Sequence, residues 1–495
     1  MRYKAKPKAV CAKRESDQDV VPMTCGTAKP GRGKVLNLNH ARRGSKDKGL
    51  AAKTALTPDQ NKIVSREREN VRQLQIALWT TAKQQPERKF PKLFDRMMQN
   101  HVLSEAWRRV RSNRGAAGID GETIEALEER GVDQFIEELR ADLLSGRYKP
   151  LPVRRQYIPK ADGRKRPLGI PGVRDRVAQM AAKIVIEPIF EAGFLECSWG
   201  FRPRKSATQA LEELRKAAPK GYEWALEIDI EKYFDSIDQR KLMELVERRI
   251  VDSRVLKLIR GWLKAGVMEQ GAFHETLVGT PQGGVISPLL ANIYLHELDR
   301  MWQKTSQKVG KLIRYADDAV IVCKSESDAQ EAHRWIEAVM AFLGLKLHPE
   351  KTRIVHLRRK GIDFLGCHLR MGCSQKYRRW YLYRWPSQRS MKRIRARIKE
   401  ITRIQHAGHR KLEQVIEELN PVLQGWSEYF RTGNASQKFL QIDSYVWKRL
   451  VIFQNRRRSR NAPTWAREFD YAWYQKLNIV RLMGNIRYPG AANAA

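Results

Sequence analysis

Cysteine is scarce and scattered in this chain. Cys11, Cys25, Cys197, Cys323, Cys367 and Cys373 are the 6 cysteines in 495 residues. They form no C-x-x-C pair and no framework spacing, which excludes a disulfide scaffold and a zinc knuckle. Long apolar runs are missing too, and none approaches the roughly 20 residues needed to span a bilayer. The N-terminus lacks the apolar core of a secretory leader, and Glu15, Asp17 and Asp19 among the lysines do not suit a transit peptide. A reducing, bacterial cytoplasm is the expected location. Acidic residues are also in short supply, 55 against 94 basic ones, for a net charge of +39. Such an excess favours a polyanionic partner, and with no spanning segment that partner is nucleic acid rather than membrane. A hydrophobic content of 42% is ample for real cores at this length and excludes disorder throughout.

Two of those acids stand side by side in Arg314-Tyr315-Ala316-Asp317-Asp318, between the apolar runs 311–313 and 319–323. Two β-prone runs around a short polar connection predict a hairpin with both carboxylates at its tip. Acids gathered there are costly unless a cation shares the site, and a pair of Mg²⁺ ions meets that need. Taken alone, the pair also suits a solvated turn. A third acid, Asp229, falls where the alternating segment Trp224-Ala225-Leu226-Glu227-Ile228 gives way to a helical, polar-periodic one. Catalytic groups of mixed sheets gather at such strand ends. Between the two lies Val278-Gly279-Thr280-Pro281-Gln282-Gly283-Gly284, whose glycines permit close approach of backbone to a ligand or make a plain turn.

In that order these segments resemble the group II intron-encoded reverse transcriptase/maturase family. The resemblance takes in Gln156-Tyr157-Ile158-Pro159-Lys160 through Arg166-Pro167-Leu168-Gly169-Ile170-Pro171, then Gly200-Phe201-Arg202-Pro203 and the Asp229 strand. It continues through Pro281-Gln282-Gly283-Gly284, the Tyr-Ala-Asp-Asp box, Leu347-His348-Pro349-Glu350-Lys351-Thr352 and Phe364-Leu365-Gly366. Looser motifs follow at Gly425-Trp426-Ser427-Glu428-Tyr429-Phe430 and Ile442-Asp443-Ser444-Tyr445-Val446-Trp447 and look like the family's maturase domain. The resemblance implies an α+β right-hand polymerase fold, with fingers and a palm built on an antiparallel sheet, followed by an α-helical thumb and maturase domain.

Along the chain, residues 1–65 read as a flexible basic arm. Residues 66–114 read as a helical N-terminal extension, since Val71, Leu74, Leu78, Leu93, Met97, Val102 and Val110 recur at helical spacings. Fingers and palm are expected over 115–375, with a β-like stretch folded at Ala161-Asp162-Gly163 and covering helices near 174–187, 212–216, 240–264 and 331–343. From 376 to 495 the reading is helical thumb and maturase domain. In 391–404, Met391, Ile394, Ile398 and Ile401 share one helical face and leave the arginines on others. No cysteine follows Cys373, so the metal-bound Cys/His segment of family members with a C-terminal endonuclease is expected to be lacking.

By resemblance the chain is an RNA-directed DNA polymerase that binds its intron RNA and assists splicing and mobility. Asp229, Asp317 and Asp318, with the backbone carbonyl of Ile230, would hold two Mg²⁺ ions, for which Mn²⁺ can substitute. Lys160 and Arg166 would take the triphosphate, Gln282 would lie beside the incoming dNTP, and Phe234 would act as a steric gate under the deoxyribose. Arg202, Lys351, Arg389, Lys392, Arg393 and Arg397 are the cations expected to touch nucleic acid. The implied partners are intron RNA, an RNA template with a DNA primer, dNTPs and target DNA. Two other readings share these residues: a splicing maturase with little polymerase activity, and a domesticated relative serving host defence or repair.

Overall fold

Helix α1 (Pro58–Gln84) starts with a proline and an acid in its first turn, both favourable at a helix N-terminus. The computed structural model describes residues 58–487 other than 160–164, 270–271, 275–278, 280–282, 306–307, 376, 404–409 and 458–468. The helix therefore begins inside the arm expected to run to residue 65. Its first turns present mostly exposed side chains, Asp59, Asn61, Lys62 and Ser65 among them, so apolar periodicity did not reveal them, while residues 1–57 lie outside the described part. Val71, Leu78 and Ala82 turn inward, and α1 packs with α2 (Asn100–Ser112) and α3 (Val173–Glu191).

Three sheets follow among the described residues. The first has the order β2-β1-β4-β5, built from β1 (Val153–Pro159), β2 (Lys165–Ile170), β4 (Val267–Glu269) and β5 (Ala272–His274). Its β1 and β2 are antiparallel from Arg154↔Ile170 to Pro159↔Lys165, around the turn expected at 161–163, which lies outside the described residues. The central sheet is fully antiparallel in the order β6-β7-β3-β8, from β6 (Lys311–Tyr315), β7 (Asp318–Cys323), β3 (Trp224–Ile228) and β8 (Arg353–His356). The third runs β11-β10-β9, from β9 (Ile362–Phe364), β10 (Cys367–Cys373) and β11 (Trp380–Pro386).

The alternation of the central strands divides the hydrophobic interior in two. Leu226, Ile228, Ala319, Ile321 and Leu312 join the core that includes α3, α5 (Ser287–Thr305) and α6 (Glu326–Phe342). Ala225, Val320, Val322, Ile313 and Val355 join the other, with α4 (Ala207–Ala217), the third sheet, α7 (Gln388–Ile401), α8 (Leu412–Phe430) and α9 (Ser436–Arg457). Because successive strand residues face opposite ways, one sheet serves both cores.

Two further boundaries differ from expectation. The helix expected over 240–264 is two, Gln239–Glu247 and Ser253–Lys264, separated where the Asp252 carboxylate caps the second by accepting from the backbone N–H groups of Arg254 and Val255. The segment after 376 does not start as helix: Trp380–Pro386 is a strand paired along its whole length with β10. Alternation in Tyr381-Leu382-Tyr383-Arg384-Trp385 has the period of a strand, and the basic residues around it masked that pattern. In α7 the apolar face is as expected, with Met391, Ile394, Ile398 and Ile401 at 0 to 4% exposure. No helix among the described residues is long and apolar enough to cross a membrane.

Candidate active site

The β3–β7 register runs to Ile228↔Ala319, so one further step sets Asp229 across from Asp318. Asp317 sits in the two-residue turn that joins Tyr315 to Asp318. The other turn residue, Ala316, has φ 58°, a left-handed conformation that costs a residue with a side chain about 1 to 3 kcal/mol unless its surroundings impose it. They do. The guanidinium of Arg314, 1% exposed, donates to the Ala316 carbonyl at 2.9 Å, to Asn292 Oδ1 at 3.2 Å and through two nitrogens to the Asp299 carboxylate. Burial alone would weaken that charge, but the Asp299 carboxylate overrides it and holds the guanidinium above its ordinary pKa. From the other side Gly200 presses on the turn: a Cβ there would lie 2.3 Å from the Ala316 nitrogen, so only glycine fits. Asn292 Nδ2 in turn donates to the Gly200 carbonyl at 2.8 Å.

Asp229 is held by segments far along the chain. Its carbonyl accepts from the His348 N–H at 2.8 Å, and both carboxylate oxygens lie 3.2 Å from Lys351 Nζ. Ile230 forms a bridge to Leu347 in which the flanking residues make the bonds, so its own carbonyl points away from Leu347. The donor set of Asp229, Asp317 and Asp318 offers only oxygen, which suits a hard divalent cation. Among the described residues no three His, Cys, Asp or Glu side chains are already gathered to hold a metal ion.

The glycine-rich loop approaches the Phe234 backbone at one end and β2 at the other. Gly279, at φ 92°, accepts from Gln239 Nε2 through its carbonyl and donates its N–H to the Ile237 carbonyl, and a Cβ on it would meet the Phe234 carbonyl at 2.8 Å. Four residues on, a Cβ on Gly283 would meet the Gly169 carbonyl of β2 at 2.2 Å, and the Val285 N–H donates to Gln179 Oε1 at 2.8 Å. The loop therefore runs from half-buried Phe234 to the first sheet. Gln282 and Lys160 both lie outside the described residues. Arg166 is in β2 opposite Ile158.

The expected nucleic-acid contacts separate. Arg202 is 7% exposed, and its guanidinium is engaged by Glu191 at 2.7 to 3.1 Å and by the Leu195 and Ser198 carbonyls, as an internal brace. Lys351 points at Asp229. On α7, Arg389, Lys392 and Arg393 are exposed, whereas Arg397 pairs with Glu400 at 3.0 Å and Glu418 at 3.5 Å. Arg314, Asp299, Asn292 and Gly200 were not among the expected site residues.

Residues 158–369 match the family model described as reverse transcriptase (RNA-dependent DNA polymerase), and residues 391–473 match that of the group II intron maturase-specific domain. The chain is 37% identical over 337 residues to Protein YkfC of Escherichia coli, covering 60% of this chain and 88% of YkfC. It is 41% identical over 214 residues to the group II intron-encoded protein LtrA of Lactococcus lactis, covering 43% of this chain and 35% of LtrA. The chain belongs to the group II intron-encoded reverse transcriptase/maturase family. A third relative, the 91 kDa protein in the cob intron of Schizosaccharomyces pombe, is 27% identical over 72% of this chain and 53% of its own length. In this group II intron family protein the reverse transcriptase match spans the central sheet and all three acids, and the maturase match begins within α7. Reverse transcriptases use divalent metal ions, in keeping with the oxygen donors where β3 ends and β7 begins.

Proposed function

We propose that this protein is an RNA-directed DNA polymerase of right-hand design that also binds intron RNA and assists its splicing and mobility. The observation that carries this reading is the register that sets Asp229 across from Asp318, with Asp317 in the adjoining turn. In this reading β1 and β2 belong to the fingers, the central sheet with α3, α5 and α6 to the palm, and the helices from α7 onward to thumb and maturase domain. The junction then falls after Pro386 rather than at residue 376.

Asp229, Asp317, Asp318 and the Ile230 carbonyl would hold two divalent ions, Mg²⁺ or Mn²⁺. Bound there, such ions lower the pKa of a primer 3′-hydroxyl and offset the charge of the departing pyrophosphate. The chain's own groups do the positioning. Arg314 and Gly200 hold the turn so that Asp317 and Asp318 need not reorganise when a substrate arrives. Lys351 balances the Asp229 carboxylate until a stronger cation takes its place. Phe234 would fill the volume a ribose 2′-hydroxyl needs, and by the family resemblance Gln282 would serve the nucleotide while Lys160 and Arg166 would donate to its phosphates. RNA template with DNA primer, intron RNA and target DNA are the polyanions that the net charge of +39 would attract.

The maturase-specific match over 391–473 supports a binding role separable from the chemistry. Asp317→Ala tests both parts in one protein. Primer extension on an RNA template should fall by orders of magnitude, while binding of intron RNA stays near normal. Retained cDNA synthesis would refute the catalytic assignment, and loss of RNA binding in a folded variant would refute the separation.

A further inference from the structure

The third sheet has one face in the core and one that the polymerase chemistry leaves unused. On the core side Leu369, Met371 and Leu382 are 0 to 4% exposed. On the other side the β10–β11 register sets His368 opposite Trp385, Arg370 opposite Tyr383 and Gly372 opposite Tyr381. Side chains two residues apart on a strand stand about 6.8 Å apart on one face. Tyr381, Tyr383 and Trp385 therefore form a row along β11, all half-buried, with His368 and exposed Arg370 beside them. Glycine at 372 is part of the construction, because a Cβ there would lie 2.8 Å from the Tyr383 ring. His368 is oriented at both ends, its Nδ1 2.6 Å from Asp363 Oδ1 and its ring 5.1 Å from that of Trp385.

We propose that this face is a stacking platform for an unpaired stretch of RNA. Rings in a row accept bases by their faces whatever the sequence, and only an unpaired strand can offer base faces to them. The charge around the row is complementary to a phosphate backbone. Arg359 and Lys360 are exposed on the turn where Gly361 abuts His368 and Arg370, and Arg378 and Arg379 are exposed at the hairpin tip. The acid on this face, Asp363, already faces His368. A protein partner would favour an interface centre depleted of charge, which this face is not. The tyrosine hydroxyls and the imidazole place hydrogen-bonding groups along the row, suited to the 2′-hydroxyls that distinguish RNA from DNA. The platform rests on the reading of this chain as an RNA-binding reverse transcriptase.

The test is equilibrium binding of the full chain to three fluorescent probes: a short oligouridylate, an oligodeoxythymidylate of equal length and a blunt RNA hairpin. Removing both rings with Tyr381→Ala and Tyr383→Ala should weaken oligouridylate binding roughly tenfold or more and leave hairpin binding unchanged. The paired Phe variant, which keeps the rings and the fold, should retain binding but lose the preference for oligouridylate over oligodeoxythymidylate. Unchanged oligouridylate affinity in the Ala variant, or an equal loss for the hairpin, would overturn the platform. Equally tight binding of both single strands by the native protein would overturn its assignment to RNA. If the Ala variant does not fold, Arg370→Gln together with the Phe pair decides the matter by the same readouts. A native protein that binds none of the three probes would defeat the broader functional reading instead, so the two failures are distinguishable.

Discussion

Arg314 and Asp299 form a two-pronged ion pair at 1% and 0% side-chain exposure, directly behind the turn that carries Asp317. The pair does more than neutralise charge, since the guanidinium's third nitrogen reaches the Ala316 carbonyl at 2.9 Å as well as Asn292 Oδ1. Orientation of the acidic turn is thereby tied to a side chain on α5.

Removing one partner should be far worse than removing both. Asp299→Ala leaves a buried guanidinium uncompensated, at a cost of about 3 to 5 kcal/mol, whereas Asp299→Leu combined with Arg314→Met should cost less. Urea denaturation of the three proteins checks the order. Both variants should lose cDNA synthesis, because each frees the Ala316 turn. A double variant with full activity would show that the turn keeps its pose unaided.

Phe234→Ala should relax the choice between deoxyribonucleotides and ribonucleotides. The ring is half-buried against Tyr233, at 5.4 Å between centroids, so its removal opens space there without unmaking a core. Primer extension with each nucleotide class measures the effect. Equal discrimination by both proteins would defeat the gate assignment.

The salt dependence of duplex binding should depend on Arg389, Lys392 and Arg393 more than on Arg397, which is already paired with two glutamates. Each lost phosphate contact should flatten the slope of log affinity against log salt by about 0.7 to 0.9. Replacing Arg393 with Gln should show such a change, and replacing Arg397 a smaller one. Equal slopes for both variants and the native protein would place this face of α7 in solvent.

Asp175 makes stability fall as pH rises through its titration. Burial, against the opposing hydrogen bonds from the Tyr148 hydroxyl and the Leu151 N–H, raises its carboxyl from 3.8 to about 6. Between those values the folded chain keeps a proton that the unfolded chain has released. This contribution is full below 3.8 and lost above about 6, and it amounts to about 3 kcal/mol at 1.36 kcal/mol per unit. Asp175→Asn removes this slope. The stability difference between native and variant proteins should shift by that amount between roughly pH 4 and pH 7, read by urea denaturation, and a constant difference would rule out the titration.

Much of the site is legible in sequence because its cues are local. Alternation at 224–228, the apolar run at 319–323, the break at Asp229 and the short polar connection between the two runs each follow from the period of a strand and the needs of a turn. The apolar face of α7 follows from helical spacing in the same way. Other features depend on contacts between residues far apart in the chain. In sequence Arg202, Arg314 and Arg397 are three cations of a basic chain, and their environments come from packing: Arg202 on Glu191, Arg314 on Asp299, Arg397 on Glu418. Lys351 reaches Asp229 across 122 residues, and Gly200 meets Ala316 only when two loops are pressed together. Local patterns thus determined which acids lie at strand ends. Tertiary packing decided which charges are buried to brace them, because the cost of burying a charge is set by neighbours that the chain order does not name.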